Sequence, residues 1–511
     1  MESVKSVVKK GFVYLVGAGP GRADLITVRG ADLLRQADCI IYDKLANPAL
    51  LKFARPDAEL IPVPKRIGPG SFTQTQINEL LVERAAGGKN VVRLKGGDPC
   101  IFGRCAEELA ILIESGIDFE IVPGITAAIA AADYTGIMLT DRRYSSQVVF
   151  VTGQESEDKQ ETNIDWRLLA RFPGTIVFYM AVSNLGSIAE RLISNGMSTD
   201  TLAAVIVDAT FATQKIVKAA LAEIDHKCKD ANLEPPAIVI IGPAAGSDPR
   251  LNWFMKKPLF GKNIVITRDT LGNAEFAEKI VCRGGNPIPF TTMTIKPLTQ
   301  TNEFLHALAA ISGYDWVIFT SVNGVTIFFQ ALRELGKDAR VLGSARVAAI
   351  GEQTASRLAE YGIRADFVPA EFTGKQLARQ LAGFTNLRNK KVLLLRSELA
   401  SNELVEFLQQ SGALVSNVPI YTAVKTEGRA DWLLDKIQKG DVHWLTFASP
   451  SSAKIFFEQI PAESVNSSDI RVASIGPVTS EELQRLGVRV DVTAAVHTIG
   501  GLLDAIEQIY T

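Results

Sequence analysis

The chain has 511 residues, 47% of them hydrophobic and 22% charged, with a formal net charge of −2. That is ordinary globular composition, long enough for several compact units. It excludes a broad basic face for nucleic acid or anionic membrane, so an anionic ligand would have to be held by local basic clusters. The five cysteines (Cys39, Cys100, Cys105, Cys228, Cys282) show no C-x-x-C or zinc spacing and fit the reduced thiols of a cytoplasmic protein. With four histidines and no H-E-x-x-H, no metal is expected. The first residues are too short and polar for a signal peptide, and no apolar run reaches membrane-spanning length.

Residues 12–17 (F-V-Y-L-V-G) predict a buried strand, which ends in G-A-G-P-G at 17–21. Pro20 and Arg22 interrupt the G-x-G-x-x-G pattern, and proline removes a donor that a pyrophosphate would want, which argues against a nicotinamide cofactor. A helix is predicted over 27–36. A strand over 39–42 ends at Asp43, a carboxylate suited either to catalysis or to capping a helix. Residues 61–71 (I-P-V-P-K-R-I-G-P-G-S) predict a loop. Its only charges, Lys65 and Arg66, suit either a solvated loop or an anchor for an anionic substrate. An amphipathic helix follows over 73–86.

Residues 91–108 (V-V-R-L-K-G-G-D-P-C-I-F-G-R-C-A-E-E) read as strand, break and helix. Gly96 and Gly97 let a backbone approach a ligand, Asp98 adds a carboxylate able to accept from hydroxyls or ammonium, and Pro99 stiffens the exit. Alone this is a tight turn. With 17–21 and P-G-I-T-A-A at 123–128 it makes three glycine-bearing strand ends, the setting of a small-molecule cleft walled by backbone. Arg142 and Arg143 precede a strand over 148–153, and a polar, acidic loop covers 155–163. T-I-V-F-Y-M at 175–180 predicts a buried strand ending at Met180, by itself a core filler. A helix over 186–194, a strand over 203–207, a helix over 216–228 and a strand over 236–242 complete this half.

G-A-G-P-G, Y-D at Asp43, P-K-R at Lys65, L-K-G-G-D-P-C-I-F-G-R, V-P-G-I-T-A-A, L-T-D-R-R-Y and V-F-Y-M, in this order, resemble the tetrapyrrole methylase family over residues 11–253. The resemblance implies two α/β lobes, 11–135 and 136–253, with S-adenosylmethionine folded between them, and a homodimer formed through this half. By position it implies methyl-donor contacts at Pro20, Gly96, Gly97, Asp98, Ile101, Thr126, Ala127, Met180 and Ala209. It places the base and acid on Asp43 and Lys65. Arg66, Arg142 and Arg143 would pair with substrate carboxylates. The sequence departs from the family pattern at Cys100 and Cys105 (usually Phe and Gly), at Ala209 (commonly Gly), and at Met138 and Asp141 (usually Pro and His).

Residues 243–260 (P-A-A-G-S-D-P-R-L-N-W-F-M-K-K-P-L-F) predict a domain boundary with a linker at 254–260, while Trp253 and Phe254 predict packing there. An internal repeat follows. Residues 317–324 (V-I-F-T-S-V-N-G) parallel 445–452 (L-T-F-A-S-P-S-S), 346–354 parallel 471–479, and V-L-L-L-R at 392–396 parallels I-V-I-T-R at 264–268. The pattern predicts doubly wound parallel sheets in a hinged, bilobed module. Lobe one would be 261–290 and 426–511, lobe two 298–418, with crossings near Pro289 and Tyr421. Ser321, Asn323, Thr354, Ser449, Ser451, Ser452 and Thr479 fall at predicted strand ends beside helix starts. Each alone reads as a cap. Their presence in both halves favours a polyanionic ligand held by N–H donors and helix poles.

I-V-I-T-R, F-T-S-V-N-G-V, I-G-E-Q-T-A, P-I-Y-T, F-A-S-P-S-S and I-G-P-V-T-S resemble the uroporphyrinogen-III synthase family over residues 260–511. The resemblance implies that Tyr421 is the tyrosine near the hinge and that Thr354 and Thr479 line the cleft. Together the two resemblances imply a bifunctional enzyme acting on small tetrapyrroles. One half would close hydroxymethylbilane to uroporphyrinogen III with loss of water. The other would methylate that product twice, to precorrin-2, on the sirohaem or cobalamin route. The alternative is a methylase of another tetrapyrrole with a C-terminal ligand-binding regulatory module. Near-neutral charge speaks against an RNA substrate.

Overall fold

The run V-Y-L-V-G becomes β1 (Val13–Gly17), buried at every residue but the partly exposed Tyr14, as expected of an inner strand of a parallel sheet. A computed structural model describes residues 10–64, 72–155, 162–370, 374–426 and 430–510. They fall into two compact units. One comprises the chain up to Asn263 with Ile280–Asn286 and the last residues; the other comprises Ile264–Lys279 and Pro287–Ile509.

In the first unit, β1 joins β2 (Cys39–Asp43), β3 (Glu59–Val63), β4 (Val91–Lys95) and β5 (Phe119–Val122) in the order β3-β2-β4-β1-β5, every pair parallel. The expected loop at 61–71 therefore begins as strand. Pro62 is tolerated because β3 is an edge strand and needs no second ladder. Helix Val28–Gln36 starts where Thr27 accepts from the Gly30 N–H, and helix Gln74–Ala86 starts in a capping box between Thr73 and Gln76.

The second sheet holds β6 (Val148–Thr152), β7 (Thr175–Tyr179), β8 (Leu202–Val207), β9 (Lys215–Ala220) and β10 (Ala237–Ile241) in the order β6-β7-β10-β8-β9. Only β6 and β7 are parallel. The helix expected over 216–228 is a correction. Its first part is β9, paired antiparallel with β8, and only Ile224–Asp230 is helical. Ile216 packs on one face of the sheet and Val217 and Ala219 on the other, so tertiary pairing overrides the helix-forming Lys and Ala residues. The stretch around Trp253 is packed, as expected. Phe254 is buried against Tyr134, and Trp253 Nε1 donates to the Asp133 carbonyl at 2.9 Å.

The second unit carries two sheets. β11 (Asn263–Ile266) and β12 (Asn286–Pro289) open one of them. The chain then builds the other from β13 (Met293–Pro297), β14 (Trp316–Phe319), β15 (Arg346–Ala349), β16 (Lys391–Ser397) and β17 (Leu414–Lys425). It returns to complete the first with β18 (Trp444–Phe447), β19 (Arg471–Ser474) and β20 (Val492–Thr493). The orders are β12-β11-β18-β19-β20 and β13-β17-β16-β14-β15. The pairs β11–β18, β18–β19 and β19–β20 are parallel, as are β14–β15, β14–β16 and β16–β17. Against the all-parallel expectation, β13 runs antiparallel to the end of β17, with Pro297 opposite Tyr421. The two crossing segments are thus zipped into one ribbon.

The sequence repeat is a structural repeat. Ser321 and Ser449 both take extended backbone, φ −165° and −163°, and accept from the N–H three residues on, Gly324 and Ser452. Asp366 accepts from the Val347 N–H and Asp491 from the Val472 N–H, each at 2.7 Å. No helix among the described residues is long and apolar enough to cross a membrane. Replacing Ser449 by alanine removes one cap, and should cost about 1 kcal/mol, measured as a lower urea midpoint.

Candidate functional site

In the first unit the three glycine-bearing strand ends meet. Gly19 and Gly97 exchange backbone hydrogen bonds of 3.2 and 2.8 Å. A Cβ on Gly17 would lie 2.5 Å from the Gly124 nitrogen, and one on Gly124 2.2 Å from the Gly97 oxygen. Only glycine permits this approach. A Cβ on Gly96 would meet Leu45 at 3.1 Å, which places Gly96 beside the loop that leaves Asp43. Asp98 ties two of these loops: Oδ1 accepts from the Cys100 N–H at 2.8 Å and Oδ2 from the Gly124 N–H at 3.0 Å. Both oxygens thus pin the loops.

The second lobe closes over them. Met180, expected among the methyl-donor contacts, is 50% exposed with φ +51°, although all five residues of β7 before it are buried. A bulky side chain held in left-handed backbone and presented to solvent is a sign of a functional position. Tyr179 accepts from the Ala128 N–H at 3.3 Å, and its hydroxyl lies 2.7 Å from Thr126 Oγ1. Burial pushes the phenol up, so it stays protonated. Ile101, Ala127 and Ala209 pack on the apolar cluster that contains Tyr179. The loop of Ala209 is fastened to that of Pro20: the Arg22 N–H donates to Thr210 Oγ1 at 3.1 Å, and Gln214 holds the Thr210 N–H at 3.0 Å. The expected methyl-donor residues thus converge from both lobes. The close backbone approach at Gly17, Gly97 and Gly124 leaves their loops without side chains, so a ligand there would be met by backbone amides and carbonyls.

Asp43 stands at the end of β2 and is held by Arg93 Nη2. Arg93 Nε also donates to Glu108 Oε1 at 3.0 Å, and Lys95 Nζ donates to Glu108 Oε2 at 2.5 Å. Arg93, Lys95 and Glu108 have essentially no exposed surface, at 0%, 1% and 0%. Burial works against the Arg93 charge, but Asp43 and Glu108 outweigh it and hold the guanidinium above its usual value. Sequence reasoning missed this network. Its signal was present: Arg93 and Lys95 alternate on one face of an otherwise apolar strand.

Lys65 and Arg66 lie outside the described residues. Arg142 and Arg143 sit on an exposed turn. Arg143 is already engaged by Asp141, at 2.9 and 2.7 Å, and that contact holds the Asp141 carboxyl well below the usual range.

In the second unit, the Tyr421 hydroxyl lies 2.9 Å from Ser321 Oγ. Burial pushes the phenol up, hydrogen bonds from Ser321 and Ser397 pull it partly back, and the charge of Asp269 adds to the rise. Asn323 lies on the first turn of helix Val322–Glu334, close to this pair. Thr354 and Thr479 are buried on the first turns of helices Glu352–Glu360 and Pro477–Arg485. Ser449 starts helix Pro450–Phe457. Among the described residues, no hydrogen bond joins Thr354, Ser449 or Thr479 to Tyr421. No group of three metal-ligating side chains occurs among the described residues either.

Comparison with known proteins separates the chain into two functional classes. The family model of tetrapyrrole (corrin/porphyrin) methylases matches residues 13–225, and that of uroporphyrinogen-III synthase HemD matches 274–504. The porphyrin biosynthesis protein HemD of Ruminiclostridium josui is 36% identical over 98% of this chain and 99% of that protein. The uroporphyrinogen-III C-methyltransferase of Bacillus subtilis is 39% identical over 70% of this chain and 73% of its own length. An S-adenosyl-L-methionine-dependent uroporphyrinogen III methyltransferase of Methanosarcina barkeri is 46% identical over 45% of this chain and 91% of its own. The chain belongs to the family in which a tetrapyrrole methylase is fused to a uroporphyrinogen-III synthase.

Two outcomes follow from the geometry. Glu108→Ala strands Arg93 and Lys95 without a carboxylate between them, and should cost about 3–5 kcal/mol, read as a drop in unfolding temperature. Burial raises Cys39 and Cys228 to about 11 and Cys105 to about 12. At pH 8 these thiols are protonated as well as covered, so an alkylating reagent should label the exposed Cys100 and Cys282 first, seen by peptide mass mapping.

Proposed function

We propose that the chain converts hydroxymethylbilane to uroporphyrinogen III in its C-terminal half and methylates that product twice in its N-terminal half, giving precorrin-2. The observation that carries this reading is the end-to-end presence of both modules in one chain, since the product of one reaction is the substrate of the other. S-adenosylmethionine supplies an activated methyl group and leaves as a neutral thioether. Pro20, Gly96, Gly97, Asp98, Ile101, Thr126, Ala127, Met180 and Ala209 would hold the donor. Their part is positioning, which brings a soft carbon nucleophile in line and needs no strong acid. Asp43 would take the proton released at the ring, with Lys65 as its donor partner. Arg66 and Arg142 would meet substrate carboxylates.

In the C-terminal half, loss of the substrate hydroxyl as water leaves a delocalised cation. Tyr421, kept protonated by burial and aligned by Ser321, would donate to the departing oxygen. Ser321, Asn323, Thr354, Ser449 and Thr479 would orient carboxylate arms. A carbon–carbon bond then forms to the last pyrrole, whose bond to the preceding methylene bridge breaks and re-forms at its other α carbon, which inverts it, and a proton leaves that carbon. A homodimer through the methylase half and a cytoplasmic location belong to this same reading; light scattering and fractionation test them.

The assay supplies hydroxymethylbilane and S-adenosylmethionine to the purified chain. The expected product carries two added methyl groups on the type III framework. Product of type I only, or a framework without methyl groups, would overturn the corresponding half. Asp43→Asn should lower methyl transfer to supplied uroporphyrinogen III by roughly 100-fold while the affinity for S-adenosylhomocysteine stays within about twofold by calorimetry.

A further inference from the structure

The repeat of the second unit puts two residues in equivalent places. Residues 264–268 align with 392–396, so the next positions, Asp269 and Ser397, are counterparts. Ser397 ends β16 and hydrogen-bonds Tyr421. Asp269 stands at the corresponding strand exit of the other lobe. Its Oδ1 accepts from the Gly272 N–H at 2.8 Å, which caps the helix Thr270–Cys282. Its Oδ2 takes a long bond of 3.4 Å from Asn323 Nδ2, two residues beyond the Ser321 that holds Tyr421.

Asp269 is partly buried, and among the described residues no lysine, arginine or histidine nitrogen lies within the 4.0 Å of an ion pair with it. Its neighbour Arg268 lies over Gly272, whose N–H bonds Asp269, without forming an ion pair with it. A cap alone does not need a charge, because asparagine and serine serve as well. A carboxylate without an ion-pair partner, whose charge acts on Tyr421, is also poorly placed for a polycarboxylate ligand, which it repels. It is well placed for a cation.

We propose that Asp269 is a further catalytic residue of the synthase half, where its carboxylate faces and stabilises the delocalised cation formed as the hydroxymethyl carbon–oxygen bond breaks. The inference rests on the ring-closing reading above. The balance is that of the dehydration itself. The carbon–oxygen bond breaks, the oxygen leaves with a proton as water, the carbon–carbon bond forms, and the ring carbon returns a proton. Asp269 makes no bond; its charge opposes the one that develops in the transition state. Tyr421 on one side assists departure, and Asp269 on the other holds what is left.

The test is Asp269→Asn, which removes the charge, keeps one oxygen for the Gly272 cap, and turns an NH2 toward Asn323, whose amide can flip to accept from it. Each preparation is first checked for methyl transfer to supplied uroporphyrinogen III, which reports an intact chain and is expected to be unchanged. The wild-type chain is then given hydroxymethylbilane; failure to form the type III isomer defeats the ring-closing reading itself. If the wild type is active, D269N is expected to lower kcat at least about tenfold, with KM equal or lower because a repelling charge has gone. An unchanged kcat would overturn the proposal. Asn323→Ala separates charge from lobe contact: it should slow the reaction less than D269N. An equal or larger loss in N323A would assign Asp269 to holding Asn323 and would also overturn the proposal.

Discussion

Glu108 has no exposed surface and two cations against it, and the methylase half depends on that arrangement. A carboxylate with no access to water is tolerated only when both oxygens are satisfied. Arg93 and Lys95 satisfy them from β4, the central strand of the first sheet. Glu108 itself comes from helix Cys105–Glu114, four residues past the loop of Phe102 and Arg104, both at positive φ. The ion network therefore sets where that helix begins, and the helix start sets the path of the glycine loop before it. On its other side Arg93 reaches Asp43. One buried set of charges thus fixes both the loop that would face the methyl donor and the carboxylate that would take the proton.

Much of this was legible in the sequence because glycine and proline leave local signals. Gly17, Gly97 and Gly124 were each readable as strand-end turns, and their contact follows once parallel strands put those ends on one edge of the sheet. What was not legible was pairwise. Asp98 read as a ligand group, yet its oxygens hold the Cys100 and Gly124 amides, a partnership that spacing cannot show. β9 read as helix because Lys and Ala favour helices locally, while its pairing with β8 decides otherwise. Met180 carried no sign of its positive φ, which the fold imposes after a strand of favourable residues. Arg143 read as an anchor, and only the structure shows Asp141 beneath it.

The synthase half shows the opposite balance. Its motifs are short, but the repeat makes each one testable against its twin. Ser321 and Ser449 have the same backbone and the same cap, and Asp366 and Asp491 reach back nineteen residues to the same kind of strand amide. The fold departs from repetition at β13 and β17, whose antiparallel ribbon carries the chain into and out of one lobe. Tyr421 lies on that ribbon and bonds to Ser321 of the adjoining helix. Any motion about the crossing would therefore be felt first at the tyrosine hydroxyl.

The net charge of −2 also takes on meaning here. A chain that binds polycarboxylates without a basic surface has to use dipoles and local donors. In each lobe of the second unit one helix start is closed by a serine, Ser321 or Ser449, and its partner start is led by a glycine, Gly351 or Gly476, with no side-chain cap. A side-chain acceptor there would occupy the amides that a carboxylate needs. The same omission in both lobes points to recognition spread over backbone N–H groups. Such recognition tolerates the different substitution patterns of a tetrapyrrole rim. On the proposed mechanism it would also leave the Asp269 charge to act on the reacting centre rather than on the arms.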